Sequence, residues 1–340
     1  MKKIIYLFLT LMLPLSMFAQ TASNVVAAQV GNTIEVTYDL DQPAQITLLL
    51  SRDGGATYSP IPKALTGDVG FNIQPGHKKI VWDLLQEATD WDIERARFKV
   101  MAEDKKVFSV KGVSFAMIRV EGGTFTMGAT SEQGKDAFSD EIPTHQVTLS
   151  DYYIGQTEVT QGLWEAVMEI NPALSQSGDN YPVENVSWED CQNFVNKLNS
   201  LLSSQLGGMR FALPTEAQWE YAARGGKKSK GYKYSGSNTL GNVAWYTDNS
   251  SNATHPVGTK SANELGIYDM SGNVCEWCQD GYGSYVSRSR TDPTVASSGT
   301  TNVIRGGCWY SVERRCRVSS RNFNSRTFPS LFYGLRLVCQ

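Results

Sequence analysis

The sequence predicts an α+β chain low in regular structure, preceded by a small all-β sandwich. Three observations carry this. Residues 22–106 hold short runs with apolar side chains at alternate positions, separated by turn residues. Residues 113–226 hold three amphipathic stretches, each opened by a Ser or Thr that can cap a helix. Beyond Gly226 regular periodicity fades, and an element-poor stretch of that length is usually functional or tied down.

The chain opens on MKKIIYLFLTLMLPLSMFAQ, with Lys2 and Lys3 before an apolar run from Ile4 to Leu15 and a small Ala19 at a plausible cut. Residues 1–19 are expected to be a signal peptide, because the run is short for a membrane span. No cysteine follows the run, which disfavours a lipid anchor, and no later apolar run predicts a membrane span. The implied location is secreted, periplasmic or cell-surface, where cysteines can pair.

In the expected sandwich, TIEVTYDL alternates Ile34, Val36, Tyr38 and Leu40 with polar groups. QITLLLS follows, then RDGG at 52–55 as a hairpin turn, then KKIVWDL and ARFKVMA. No cluster of catalytic residue types occurs here, so this immunoglobulin-like sandwich reads as a structural or positioning module. DKKVFSVKGV, 104–113, reads as the junction to a second domain over 113–340, in keeping with a length of 340 residues.

In the second domain Thr160 can start a helix that carries Leu163, Trp164, Val167 and Met168 on one face and stops before Pro172. Ser187 and Asp190 are spaced as a capping box before a stripe of Trp188, Cys191, Phe194, Val195, Leu198 and Leu201. Thr215 and Gln218 repeat that spacing, with Gly225 and Gly226 as the stop. The hydrophobic fraction of 41% fits a globular chain, and a net charge of −3 without a basic patch argues against a nucleic-acid partner.

GGTFTMG (122–128), DEIPTHQVTLSDYYIGQTEVT (140–160), PVENVSWEDC (182–191), LPTEAQWEYAARGG (213–226), GIYDMSGNVCEWCQD (266–280), RGG (305–307) and YGLRLV (333–338) together resemble the formylglycine-generating enzyme, or sulfatase-modifying factor, family. The resemblance implies a C-type-lectin-like fold with long ordered loops. It also implies, as one activity, oxidation of a substrate cysteine to formylglycine with copper and oxygen. That chemistry uses two cysteines five residues apart shortly after RGG, since thiolates hold Cu(I) and exchange with a substrate thiol. Here Ser311 stands at the first position and Cys316 at the second, while Cys308 and Cys316 are eight apart. Copper is therefore not expected. A family branch that uses histidine-bound iron is disfavoured as well, since His77, His145 and His255 are widely separated.

By the same resemblance SGNVCEWCQD is a calcium loop, with Asn273 and Glu276 as oxygen ligands and Asn242 at a second site. The plain alternative is a turn at Gly272–Asn273. Cys275 and Cys278 form a C-x-x-C without the second pair a zinc site needs. Cys191, on the helical stripe, reads as a buried thiol. Six cysteines allow fifteen connectivities, and the family frame favours a disulfide between Cys278 and Cys316.

The tail from Arg305 to Gln340 also resembles proteins diversified by a retroelement through adenine mutagenesis, which vary between RGG and a terminal GLRLV or GFRLV. Varied positions there draw on residues whose codons end in C, an alphabet without Lys, Glu, Gln, Trp or Met. Cys308, Tyr310, Ser311, Val312, Ser320, Phe323, Ser325, Arg326, Thr327, Phe328, Pro329, Ser330, Leu331, Phe332 and Tyr333 all belong to it, and Asn322 and Asn324 would be positions left unchanged. Trp309, Cys316, Arg317, Arg321, Gly334 and Arg336 interleave as the frame. Large stiff rings and the planar fork of Arg326 suit a contact surface for a protein or glycan. The competing reading is that these aromatics pack the last strands. Two function classes follow: a secreted binding or display protein, or a sulfatase-modifying-type oxidoreductase, with Ser311 favouring the first.

Overall fold

A computed structural model describes residues 20–41, 44–61, 64–84, 95–103, 105–296 and 299–340. The expected signal peptide, 1–19, lies outside them. The chain divides into two compact units, Met1–Lys106 and Val107–Gln340.

In the first unit, alternation sets the architecture. Thr33–Leu40 buries Ile34, Val36, Tyr38 and Leu40 and leaves their neighbours half-exposed. It pairs antiparallel with Ser23–Val30 on one side and Gly76–Asp83 on the other, and Leu65–Gly67 completes that sheet. A second sheet orders Gln20–Thr21, Arg97–Glu103, Ala44–Ser51 and Ser59–Pro60, with Gly70–Ile73 also on Ala44–Ser51. Val36, Tyr38, Ile80 and Trp82 from one sheet and Ile46, Leu48, Val100 and Ala102 from the other form one apolar core. The RDGG turn is held by Asp53, whose carboxylate accepts from the backbone N–H groups of Ala56 and Thr57 at 2.9 and 3.0 Å.

Among its described residues the second unit has three α-helices, all opened as the capping residues predict. Helix α1 is Gln161–Met168, α2 Trp188–Leu201 and α3 Glu216–Ala223. Thr160 Oγ1 accepts from Leu163 N–H, and Ser187 and Thr215 close reciprocal boxes with Asp190 and Gln218. Each cap of this kind contributes about 1 kcal/mol. Helix α1 ends at Glu169, in left-handed conformation, three residues before Pro172. Within the stretch read as the junction, Lys105–Val110 forms a strand at the edge of a sheet that continues through Val113–Val120, Tyr152–Gly155, Val338–Cys339 and Phe211–Ala212. Lysines at its start masked a burial pattern that becomes apolar at Phe108 and Val110. A second sheet joins Gly123–Met127, His145–Leu149 and Arg290–Thr291. A third orders Arg321–Ser325, Thr301–Arg305, Cys275–Gly281 and Tyr333–Gly334.

Buried arginines tie the long loops to this frame. Arg305 pairs with Glu220 and donates to the carbonyls of Ser319 and Ser320 at 2.9 and 2.6 Å. Arg317 pairs with Glu141, Arg321 with Glu216 at 2.6 and 2.8 Å, and Arg336 with Glu276 at 2.7 Å. Burial works to raise the Glu216 carboxyl, but the charges of Arg321 and Arg305 hold it below its ordinary value. No helix among the described residues is long and apolar enough to cross a membrane.

Candidate ligand-contact surface

The tail segment begins at a tight turn. Gly306 and Gly307 both have positive φ, and a Cβ on Gly307 would lie 2.8 Å from Cys316 Sγ. The turn continues to Ser311, whose N–H donates to Cys308 O at 2.9 Å while its Oγ accepts from Cys308 N–H at 2.9 Å. This closed turn projects Tyr310 outward. Further along, Phe323 sits on the strand Arg321–Ser325, opposite Val303, and stacks on Tyr282 with centroids 4.2 Å apart. Phe328 lies on a turn closed by its own N–H to Ser325 O at 3.0 Å.

The relative exposures are 60% for Tyr310, 59% for Val312, 46% for Phe323 and 53% for Phe328. The three rings are the exposed aromatic side chains among the described residues. The backbone beneath them is pinned. Asn185 N–H donates to Ser330 O, Cys275 N–H to Phe332 O, and Arg326 N–H to Thr300 O, each at 2.8–2.9 Å. Thr327 and Pro329 are also exposed, and Ser311, Ser325, Ser330 and Leu331 are half-buried.

The remaining candidates lie elsewhere. Cys308 and Ser320 are buried and are not part of a contact surface. Phe332 and Tyr333 pack against the main core, Phe332 tilted over Trp309 and Tyr333 edge-on to Trp277. Phe332 also stacks on Tyr310 at 5.7 Å, so it supports that exposed ring from below. Arg326 does not present a free fork: its guanidinium lies over Trp188 and pairs with Glu189 at 3.4 Å. Among the tail aromatics, Phe332 and Tyr333 therefore pack inward, whereas Tyr310, Phe323 and Phe328 reach solvent.

The disulfide expected between Cys278 and Cys316 is corrected. Cys278 and Cys316 are each a buried thiol outside any disulfide. Cys278 lies in an apolar cluster with Val303 and Trp219, Cys316 in a smaller one with Tyr234 and Leu240. Cys191 is a fully buried thiol on α2.

A family model, the sulfatase-modifying factor enzyme 1-like domain, matches residues 106–340. The chain belongs to that family. The chaperone protein LppX of Paenibacillus barcinonensis is 35% identical over 279 residues, which cover 66% of this chain and 90% of LppX. The formylglycine-generating enzyme of Streptomyces coelicolor is 27% identical over 287 residues, covering 64% of this chain and 87% of that enzyme. Among solved structures, Treponema denticola variable protein 1 is similar with a TM-score of 0.63 and 33% identity, over 69% of this chain and 98% of that one. The expected family, its lectin-like fold and the resemblance to variable proteins are borne out.

Family metals meet a poor fit in these residues. Where copper would need two thiolates, the Ser311 hydroxyl is bonded within its own turn and Cys316 Sγ is fully buried, near Val312 O at 3.9 Å. For calcium, the Glu276 oxygens already accept from Arg336 and, at 2.6 Å, from Trp219 Nε1–H. Asn273 Oδ1 accepts from His255 N–H, and its Nδ2 donates to Glu158 Oε2. Asn242 is exposed on a separate turn. A feature not foreseen is the crowding of Glu158, Asp269 and Glu276 around Arg336. Burial, then the neighbouring carboxylates, pushes Glu158 well above its ordinary value, and burial raises Asp269 to about 6. Glu158 lies in the 140–160 motif and Asp269 and Glu276 in the 266–280 motif, and nothing in their spacing announces that they meet.

Proposed function

We propose that this chain is a secreted or cell-surface binding protein whose C-terminal segment presents a contact surface to a protein or glycan. The observation that carries this is the concentration of exposed aromatic rings at Tyr310, Phe323 and Phe328, on backbone held by bonds to the rest of the domain. Stiff rings on a fixed support bind with little loss of conformational entropy. The similarity to a variable protein supports a surface that changes by substitution. The name of the Paenibacillus relative favours a protein ligand, because a chaperone acts on other proteins. Ser311 in place of a thiol supports binding over cysteine oxidation.

Two measurements test this reading. In the coding sequence, the codons of Tyr310, Val312, Phe323 and Phe328 should end in C, with a nearby template repeat that differs at adenines and a reverse-transcriptase gene. Absence of the repeat removes diversification from the reading. On glycan and protein arrays, the unmodified chain should retain a ligand that the Tyr310→Ala, Phe323→Ala, Phe328→Ala variant does not. Equal retention by both moves the contact elsewhere. Cell fractionation with the native leader checks the location.

A further inference from the structure

Within the second unit, one arginine enters a cavity without the acid that its counterparts have. Arg290 and Thr291 form a short strand that pairs parallel with His145–Leu149, with Arg290 opposite Val147. Alternation along the longer strand buries His145, Val147 and Leu149. Arg290 leaves the sheet on that face, and with His145 it lines a cavity of about 290 Å³. Its Nε is buried and has no hydrogen-bond partner, and among the described residues no carboxylate forms an ion pair with it. A donor buried in this way costs about 1–3 kcal/mol until an acceptor reaches it.

The other charged groups on the cavity wall are already engaged. Glu216 accepts from Arg321 Nε and Nη2 at 2.6 and 2.8 Å and from the Tyr285 hydroxyl at 3.2 Å. Asp280 accepts from the N–H groups of Glu216 and Val295 at 2.6 and 2.5 Å. Arg321 donates further to the carbonyls of Asp140 and Gly283 at 2.9 and 3.1 Å. Arg290 is therefore the charged group of this wall left to meet a ligand. Much of the remaining lining is apolar, from Met127, Pro293 and Val295, and the Tyr285 ring stands edge-on to His145 with centroids 4.8 Å apart.

We propose that this cavity binds a small organic carboxylate, whose anionic end pairs with the Arg290 guanidinium and whose apolar body lies against Met127, Tyr285, Pro293 and Val295. A guanidinium presents a planar fork that matches the two oxygens of a carboxylate. One negative charge balances the one unpaired cation. Sulfate or phosphate would bring more negative charge beside Glu216 and Asp280, where like charges repel. An apolar enclosure with one polar anchor is also the usual build of a small-molecule site. The site does not depend on the tail surface or on any ligand of it.

Calorimetric titration of the full chain with benzoate and with hexanoate tests this. At least one should bind at millimolar concentration and raise Tm. Benzamide or hexanamide, the uncharged counterpart, should bind about tenfold more weakly or worse. Inorganic sulfate should not compete. Arg290→Met, which keeps a stem of similar length, should weaken carboxylate binding about tenfold or more. Without ligand, that variant should melt no lower than the unmodified chain, because it removes an unpaired cation. Failure of both carboxylates to bind, equal binding of the amide, competition by sulfate, undiminished binding by Arg290→Met, or a lower Tm of that variant without ligand would each overturn the proposal.

Discussion

Between residues 33 and 102 the chain is held by alternation, whereas between 305 and 336 it is held by charge. In the sandwich, Val36, Tyr38, Leu48 and Trp82 meet across two sheets, and polar groups stay outside. In the tail, Arg305, Arg317, Arg321 and Arg336 are buried and paired with acids, and large rings such as Tyr310 and Phe328 stand outside. The difference teaches what a substitution can do in each place. An apolar core loses stability in proportion to the atoms removed. A loop clamped from within by ion pairs can change its outward side chains freely, but it does not tolerate loss of a clamp.

The largest effect should come from breaking a clamp. Arg336→Met leaves Glu276 buried beside Glu158 and Asp269 with no cation, and should destabilise the second unit by about 3–5 kcal/mol. Calorimetry that shows an unchanged transition for this unit would remove the clamp from the argument. On the other side of the comparison, Leu48→Ala should cost the sandwich about 2–5 kcal/mol through a core cavity. A loss well under that range would mean the two sheets are not held by their shared interior.

A smaller effect follows from pH. Asp269 is raised to about 6 in the folded chain against about 3.9 unfolded, so the folded state holds the extra proton between these values. That contribution to stability is present below about 4 and is lost as pH rises through about 6. Asp269→Asn should flatten this part of the profile of Tm against pH, and an identical slope would show that Asp269 does not titrate there. The triple alanine variant of Tyr310, Phe323 and Phe328 should change stability by about 1 kcal/mol or less, because exposed side chains contribute little. A loss of several kcal/mol would assign those rings to packing. The smallest effect concerns calcium: with Glu276 engaged by Arg336 and Trp219, chelator titration should leave Tm unchanged, and a marked fall would restore the calcium loop.

Local rules made much of the frame legible. The period of TIEVTYDL gives the buried face of its strand, and Thr160, Ser187 and Thr215 cap the helices they precede. These signals act over a few residues, where backbone geometry alone decides which side chains meet. The tail was legible only as a list of side chains. Nothing in it distinguished Phe328, which is exposed, from Phe332, which packs inward, or showed that Arg326 is occupied by Glu189 and Trp188.

By itself the sequence determined the β-rich first unit, the three capped helices, the family frame and the lack of a thiol at Ser311. Tertiary structure alone decided which arginine meets which acid, which aromatic rings reach solvent, and that Cys278 and Cys316 lie in separate apolar clusters and not in one bond. The reason is distance along the chain. Arg305 and Glu220 are separated by 85 residues, so their pairing depends on where the intervening loops return. A burial pattern read from neighbours carries no record of that return.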